Sequence, residues 1–183
     1  MPYRWLKESR KVRRWPAPKE LWGEMTGATS RKVVWHTSES DPGSIEGVAN
    51  WVQQQRIQYT LLWDPSTGEV IQLLPADVGA RSMMNDGWWP TNRFGKVCIQ
   101  ICVIGRASNH PLKRGRKLKG RRKLLRWMDS WGVPRKAIQH KWPPSRSQYL
   151  WKQSGHTTHA AAPGNDHTDP GDVDWGWLLR RWG

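Results

Sequence analysis

An apolar run in the middle of the chain, from Val97 to Ile104, constrains the fold more than any other feature. It is rich in β-branched residues, is eight residues long and has a glycine at each end, which is the pattern of a strand. Side chains alternate along a strand. The prediction therefore assigns two faces, one with Cys98, Gln100 and Cys102 and the other with Ile99, Ile101 and Val103.

Strands and helices alternate around this run. Lys32–His36 predicts a short buried strand, and the apolar face of residues 45–52 predicts a helix after Ser44. Residues 59–74 predict strand, turn and strand because Asp64-Pro-Ser-Thr-Gly68 has strong turn chemistry. A helical face starts at Leu118 and stops at Gly132. This order predicts an α/β fold, a single domain with a central mixed β-sheet flanked by helices.

The ends of the chain give weaker signals. Residues 1–29 are basic, contain Trp5, Trp15 and Trp22, and predict an irregular N-terminal arm packed by its tryptophans; residues 30–183 form the domain. Residues 140–170 are rich in Pro, His, Thr, Gly and Asp and predict a loop. A short closing helix is expected within residues 174–182.

Composition excludes several classes of protein. Fifteen tryptophans argue against wholesale disorder, two cysteines exclude a disulfide scaffold, and the apolar runs are too short to span a membrane. The first residues lack the apolar segment of a secretory signal, so we expect the protein to start in a cytoplasm. The net charge of +15 favours a polyanionic partner: nucleic acid, anionic membrane or anionic cell wall.

The positive charge is concentrated in one segment. Residues 113–126 hold nine basic side chains in fourteen positions. Such a run is either a solvated helix flank or an electrostatic footprint for a polyanion. The density favours the footprint but does not identify the polymer.

Histidine and aspartate cluster near the C-terminus. His156, His159 and His167 fall close to Asp166 and Asp169, whereas His36 stands alone at a strand end. Catalytic Zn²⁺ uses three N, O or S ligands and leaves one position for water. Spacing alone does not separate a zinc site from a polar loop with surface histidines.

The two cysteines cannot pair within one strand. Cys98 and Cys102 are four residues apart, which in a strand is about 13 Å and too far for a disulfide. Small buried apolar residues are the simpler interpretation of both.

Five segments resemble zinc-dependent N-acetylmuramoyl-L-alanine amidases of the amidase-2 type, which include phage endolysins and are related to peptidoglycan recognition proteins. The resemblance covers about residues 30–178. Its most specific part is Pro163-Gly-Asn-Asp-His-Thr-Asp-Pro-Gly171, which is similar to the closing metal loop of the family. The supporting motifs are Val33–Glu39, Tyr59–Pro75, Thr91–Gly105 and Gly155–His159.

The resemblance implies a ligand set and two catalytic positions. His36 matches the first zinc ligand and Asp169 the third. His159 matches the second because it stands ten residues before Asp169; His156 is the alternative, since it follows a glycine as the family ligand usually does. His167 falls where many members have a lysine that stabilises the oxyanion.

One position departs from the family pattern. Cys102 stands where the family has its catalytic glutamate, and a thiol is a poor replacement for a carboxylate base. Tyr59 is the next candidate, because it falls near a tyrosine close to zinc in the phage-lysozyme branch.

The resemblance implies hydrolysis of the amide between N-acetylmuramic acid and L-alanine, with Zn²⁺ as cofactor. The expected protein is a monomeric phage endolysin, held in the host cytoplasm before lysis and acting on peptidoglycan and anionic wall polymers. Two alternatives remain: a peptidoglycan-binding protein that lost catalysis through Cys102, and a basic nucleic-acid-binding protein, which the resemblance disfavours.

Overall fold

The central strand lies inside a six-stranded sheet. The computed structural model describes residues 2–41 and 43–181. The strands of the sheet are β1 (Val12–Arg14), β2 (Arg31–Thr37), β3 (Leu61–Asp64), β4 (Glu69–Gln72), β5 (Val97–Val103) and β6 (Gly155–Thr158). The strand order is β1-β4-β3-β5-β2-β6, and β3–β4 is the antiparallel pair. The predicted α/β fold with a mixed sheet is confirmed.

Helices cover both faces of the sheet. The helices are α1 (Ile45–Gln54), α2 (Arg121–Ser130), α3 (Gln148–Trp151) and α4 (Trp175–Leu178), and short 3₁₀ turns lie at Lys19–Leu21, Thr91–Arg93, Ala107–Asn109 and His159–Ala161. Helices α2 and α4 pack on the β5 face that carries Ile99, Ile101 and Val103. Helix α1 packs on the opposite face, against Leu62, Ile71 and Cys102. The two predicted faces of β5 are therefore correct.

Two segments that were predicted to be irregular each contain one short strand. Within the N-terminal arm, Val12–Arg14 pairs in parallel with β4, and Leu6 and Val12 join the core while Trp15 remains 36% exposed. Within the predicted loop 140–170, Gly155–Thr158 forms β6 beside β2. Strands of three and four residues are too short to establish an alternating pattern, and the neighbouring strand supplies the pairing that sequence reasoning lacks.

Helix boundaries differ slightly from the predictions. Helix α2 begins at Arg121 instead of Leu118, after Gly120 adopts a left-handed conformation with φ of 82°. The closing helix α4 spans Trp175–Leu178, and Asp174 caps it by accepting from Trp177 N–H at 2.8 Å. Trp182, the end of the predicted helix, lies outside the described residues. In the part of the chain that is described, no helix is long and apolar enough to cross a membrane.

Trp63 is expected to contribute more to stability than any surface tryptophan. Its side chain is fully buried, packs 6.1 Å from Trp35 between ring centroids, and donates from Nε1 to the Lys119 carbonyl at 2.8 Å. Trp63→Ala should lower the free energy of unfolding by about 3–5 kcal/mol. The matched control is Trp88→Ala, because Trp88 is 104% exposed. Urea unfolding that gives equal midpoints for the two variants would contradict the core described here.

Candidate metal centre

His36 lies near the carboxyl end of β2, beside the central strand. The parallel pairing of β2 with β5 sets His36 in register with Cys102. The imidazole is fully buried, and neither of its ring nitrogens has a hydrogen-bond partner. Burial, assisted by His159, lowers the pKa of His36 to about 3. The ring is therefore neutral near pH 7 and offers a lone pair.

His159 follows β6 directly, in the short turn His159–Ala161. Because β6 pairs with β2, this turn comes next to the end of β2. The ring centroids of His159 and His36 are 4.6 Å apart. The strand that sequence analysis missed is thus the element that brings the second histidine to the first.

Asp169 completes the cluster from the loop that follows. Its Oδ1 lies 2.9 Å from His159 Nδ1, and its Oδ2 lies 3.6 Å from His36 Nδ1. The Thr37 N–H donates to Oδ2 at 3.2 Å, and the Ala160 N–H donates to the Asp169 carbonyl at 3.0 Å. Burial opposes ionisation, but the contacts with His159, His36 and Thr37 outweigh it and hold the pKa of Asp169 below its ordinary value.

Asn165 fixes the tautomer of His159. The Asn165 Nδ2 donates to two carbonyl oxygens, of Met84 at 3.0 Å and Pro163 at 3.1 Å. Its Oδ1, 3.0 Å from His159 Nε2, must therefore accept from the Nε2–H. A neutral His159 then turns its Nδ1 lone pair toward the Asp169 carboxylate. Two lone pairs at 2.9 Å need a proton or a cation between them.

These observations fit a bound metal ion. One ligand atom from each of His36, His159 and Asp169 lies within 4.8 Å of the others, and all three residues are buried. Two nitrogen donors and one carboxylate oxygen are a set that Zn²⁺ accepts in catalytic sites. A cation would also give a partner to the buried His36 ring nitrogens, which make no hydrogen bond of normal length. Asn165 acts as the outer hydrogen-bond partner that orients a histidine ligand.

His156, the alternative ligand, lies elsewhere. It occupies β6 in register with Val33, and its ring stacks on Trp35 at 6.0 Å. Its Nδ1 accepts from Trp35 Nε1 at 3.2 Å. Since Trp35 belongs to the face covered by α2, His156 points away from the cluster.

The three residues predicted to be catalytic surround the cluster. His167 stacks on His159 at 4.3 Å, and its half-exposed ring has Nδ1 3.5 Å from Asp169 Oδ1. Tyr59 meets the His36 ring edge-on at 5.1 Å. Burial, together with Cys102 and Asp169, raises the pKa of Tyr59 well above its ordinary value, so the side chain is a neutral phenol.

Cys102 is packed in apolar surroundings. It is fully buried in the cluster that α1 forms on the sheet, next to Tyr59. Burial, with Asp169 adding, raises the pKa of the Cys102 thiol. The thiol therefore stays protonated near pH 7 and does not act as a base.

The cluster opens into a cavity of about 430 Å³. Its walls include Tyr59, His159, His167 and Asp169, together with Glu39 and Arg81, which sequence reasoning did not select. The Glu39 Oε1 accepts from Thr37 Oγ1 at 2.6 Å and from Ala107 N–H at 2.9 Å. Glu39 follows His36 by three residues, so its closeness to a strand-end ligand was the one signal available in the sequence.

Comparisons with known proteins give the fold but no sequence family. No protein-family model matches the chain, and no curated protein matches it. Solved structures do resemble it. The Staphylococcus aureus hydrolase AmiA, in complex with its ligand, has 14% identity and a TM-score of 0.59, covering 90% of this chain and 74% of that one.

Two further structures resemble the chain over nearly their whole length. The endolysin of the Thermus scotoductus bacteriophage Ph2119 has 16% identity and a TM-score of 0.56, covering 91% of this chain and 96% of that one. An AmpD derivative has 16% identity and a TM-score of 0.54, covering 93% and 94%. At sequence identities of 14–16%, these likenesses show a shared fold and no more.

Proposed function

We propose that this chain is a zinc-dependent peptidoglycan hydrolase that cleaves the amide between N-acetylmuramic acid and L-alanine. The observation that carries the proposal is the buried cluster of His36, His159 and Asp169, of which His159 and Asp169 line an open cavity. The fold adds support, because structures of the same fold are named as a hydrolase and an endolysin. Four of the five segments that resemble the amidase-2 type contribute residues to the same cavity, namely Glu39, Tyr59, His159 and Asp169 among others.

The proposed mechanism assigns His36, His159 and Asp169 to the metal. When bound, Zn²⁺ supplies a Lewis acid for the scissile carbonyl and lowers the pKa of a water molecule. Asn165 keeps the His159 lone pair directed at the site by holding its Nε2–H. The Thr37 N–H holds the Asp169 carboxylate in place.

Two side chains are suited to donate to developing charge. His167 lies at the rim with its ring stacked on His159, so a protonated His167 would stabilise an oxyanion over the cluster. The neutral Tyr59 hydroxyl is a second donor, because Tyr59 lines the same cavity. Because both groups are held by ring contacts, they require little reorganisation when charge develops.

Among the described residues, the site lacks a well-placed base to accept the proton of the attacking water. Cys102 occupies the strand position next to His36, and its protonated thiol cannot take a proton from water. Glu39 is the lining carboxylate that is not a proposed ligand, and its Oε2 is the oxygen left to accept a proton. Hydrolysis is therefore expected to be slow, and a peptidoglycan-binding protein with little or no turnover is the second candidate function.

In this proposal the protein is a phage endolysin. It is made as a monomer in the host cytoplasm and acts on the wall at lysis. A basic nucleic-acid-binding protein is the remaining alternative, and a metal-dependent amidase activity would exclude it as the main function.

Release of free amino groups from purified peptidoglycan tests this function. We expect zinc-loaded protein to release amines at a measurable rate and chelator-treated protein to release none. Protein that binds sacculi but releases no amines, with zinc bound, would support the binding-protein alternative and contradict hydrolysis.

A further inference from the structure

The fold uses part of the basic run 113–126 for its own contacts. Four of these side chains make contacts within the protein. Lys113 pairs with a carboxylate, Arg116 and Lys123 each donate to a backbone carbonyl oxygen, and Arg121 lies over an aromatic ring. Arg122 and Arg126 are different, because both are exposed and line a cleft. They stand four residues apart on α2 and therefore on the same side of the helix.

These two arginines begin an extended positive groove. They line a cleft of about 280 Å³ together with Arg135 and Arg181. A second cleft of about 310 Å³ shares Arg135 and adds further cations. We call this surface the arginine groove, which comprises Arg122, Arg126, Arg135, Lys136, Arg180 and Arg181.

The groove has far more positive than negative charge. Among the described residues that line the two clefts, Asp129 is the one carboxylate. It forms a two-point pair with Arg135, whose Nε lies 2.8 Å from Asp129 Oδ1. This pair holds Arg135 in place, since its side chain is only 10% exposed. The other cations repel one another unless an anion lies between them.

The arginine groove is separate from the candidate metal centre. Helices α2 and α4 border it, and both cover the sheet face that carries Ile101. Cys102, beside His36, lies on the opposite face. Within residues 2–41 and 43–181, the groove and the cavity beside the metal centre share no lining residue, so a ligand in the groove would leave that cavity open.

We propose that the arginine groove binds the phosphate groups of a phosphodiester polymer of the cell envelope. Arginine recognises phosphate by paired N–H donors in a planar fork, and a row of them matches a repeating anion. The indole that lines the groove, that of Trp175, is 9% exposed, and the exposed ring there is the single imidazole of His140; single-stranded nucleic acids are bound by stacking on a series of aromatic rings. The choice of an envelope polymer rests on the proposed function.

Two charge-reversal double variants test whether the polymer binds through the arginine groove or through the overall net charge of the protein. The probe is purified poly(glycerol phosphate), titrated by calorimetry at low and high salt. Arg122→Glu combined with Arg126→Glu should weaken binding about tenfold or more and flatten the salt dependence. The matched control is Lys19→Glu combined with Lys96→Glu, which makes the same change in net charge at exposed positions outside the groove. The control should weaken binding much less.

Several results would overturn this inference. Equal losses in the two double variants would mean that net charge alone binds the polymer, and no binding by the parent at low salt would exclude the site. A single-stranded RNA bound more tightly than poly(glycerol phosphate) through the same arginines would overturn the choice of polymer.

The groove variant should keep its circular dichroism spectrum, its zinc content and its amine release from a soluble peptidoglycan fragment. A parent protein that binds the polymer through the groove but releases no amines would refute the proposed hydrolysis and leave the groove standing. Loss of amine release from the soluble fragment in the groove variant would contradict the separation of the two sites.

Discussion

Replacing His159 with alanine is expected to abolish zinc binding and amidase activity together. The substitution removes one of the three donors and leaves His36 and Asp169 as a two-ligand site. It also frees Asn165 Oδ1, which now holds the ring in place. Elemental analysis should find about one zinc per parent chain and far less in His159→Ala, because catalytic zinc requires three protein ligands.

His156→Ala is the matched control for this experiment. The removed ring is also fully buried, but it packs on Trp35 on the other face of the sheet. We expect this variant to keep its zinc while losing about 1–3 kcal/mol of stability, because the Trp35 N–H loses its buried acceptor. The reverse pattern, with zinc lost from His156→Ala and kept in His159→Ala, would mean that the ligands are assigned wrongly.

Cys102→Glu is expected to raise turnover on peptidoglycan by about 10²–10⁴, the range that a positioned proton acceptor contributes. Position 102 is in register with His36 and lies within the electrostatic reach of Asp169. A carboxylate there would stand beside the metal ligands, next to Tyr59. Zinc content should not change, because none of the three donors is altered.

The control for this variant is Cys102→Gln, which adds nearly the same volume without a basic oxygen. Both variants must be folded and loaded with zinc, since a larger side chain enters the apolar cluster under α1. If glutamate and glutamine give the same rate as the parent, the proton acceptor lies elsewhere. Tyr59 and Glu39 are then the lining residues to replace.

The strongest parts of the fold could be predicted from local sequence. The strand predicted at Val97–Ile104 spans Val97–Val103, and α1 presents its predicted apolar face to the sheet. These elements are long enough to repeat their pattern. The short edge strands β1 and β6 were missed, since their conformation is set by pairing with β4 and β2 and their own residues carry little signal.

The candidate metal centre also combines residues that local sequence indicates with contacts that only the tertiary structure sets. Most of the chain separates His36 from the C-terminal histidines. Composition therefore does not assign them to one site, and only the motif resemblance does so. The structure brings His36, His159 and Asp169 together through the β2–β6 pairing. The role of Asn165 depends on two carbonyl oxygens, one of them 81 residues away in sequence, and no sequence pattern encodes that contact.

The arginine groove shows most clearly what a count of charges in the sequence cannot predict. The dense run at 113–126 is visible in the sequence, but four of the six groove residues lie outside it, Arg135 and Arg181 among them. Several cations within the run bind the protein itself, as Lys113 does with Asp172. A count of charges cannot tell cations that line the groove from cations that bind the protein itself, because the difference depends on where each side chain lies in the folded structure.

Mass spectrometry of the products from purified peptidoglycan tests the central claim most directly. Zinc-loaded protein should release peptides that begin with L-alanine and leave glycan strands whose muramic acid carries a free lactyl carboxyl group. Chelator-treated protein and His159→Ala should release neither. New amino groups at another peptide bond, new reducing sugar ends, or release that persists without zinc would contradict the claim that this chain is a zinc-dependent muramoyl-alanine amidase.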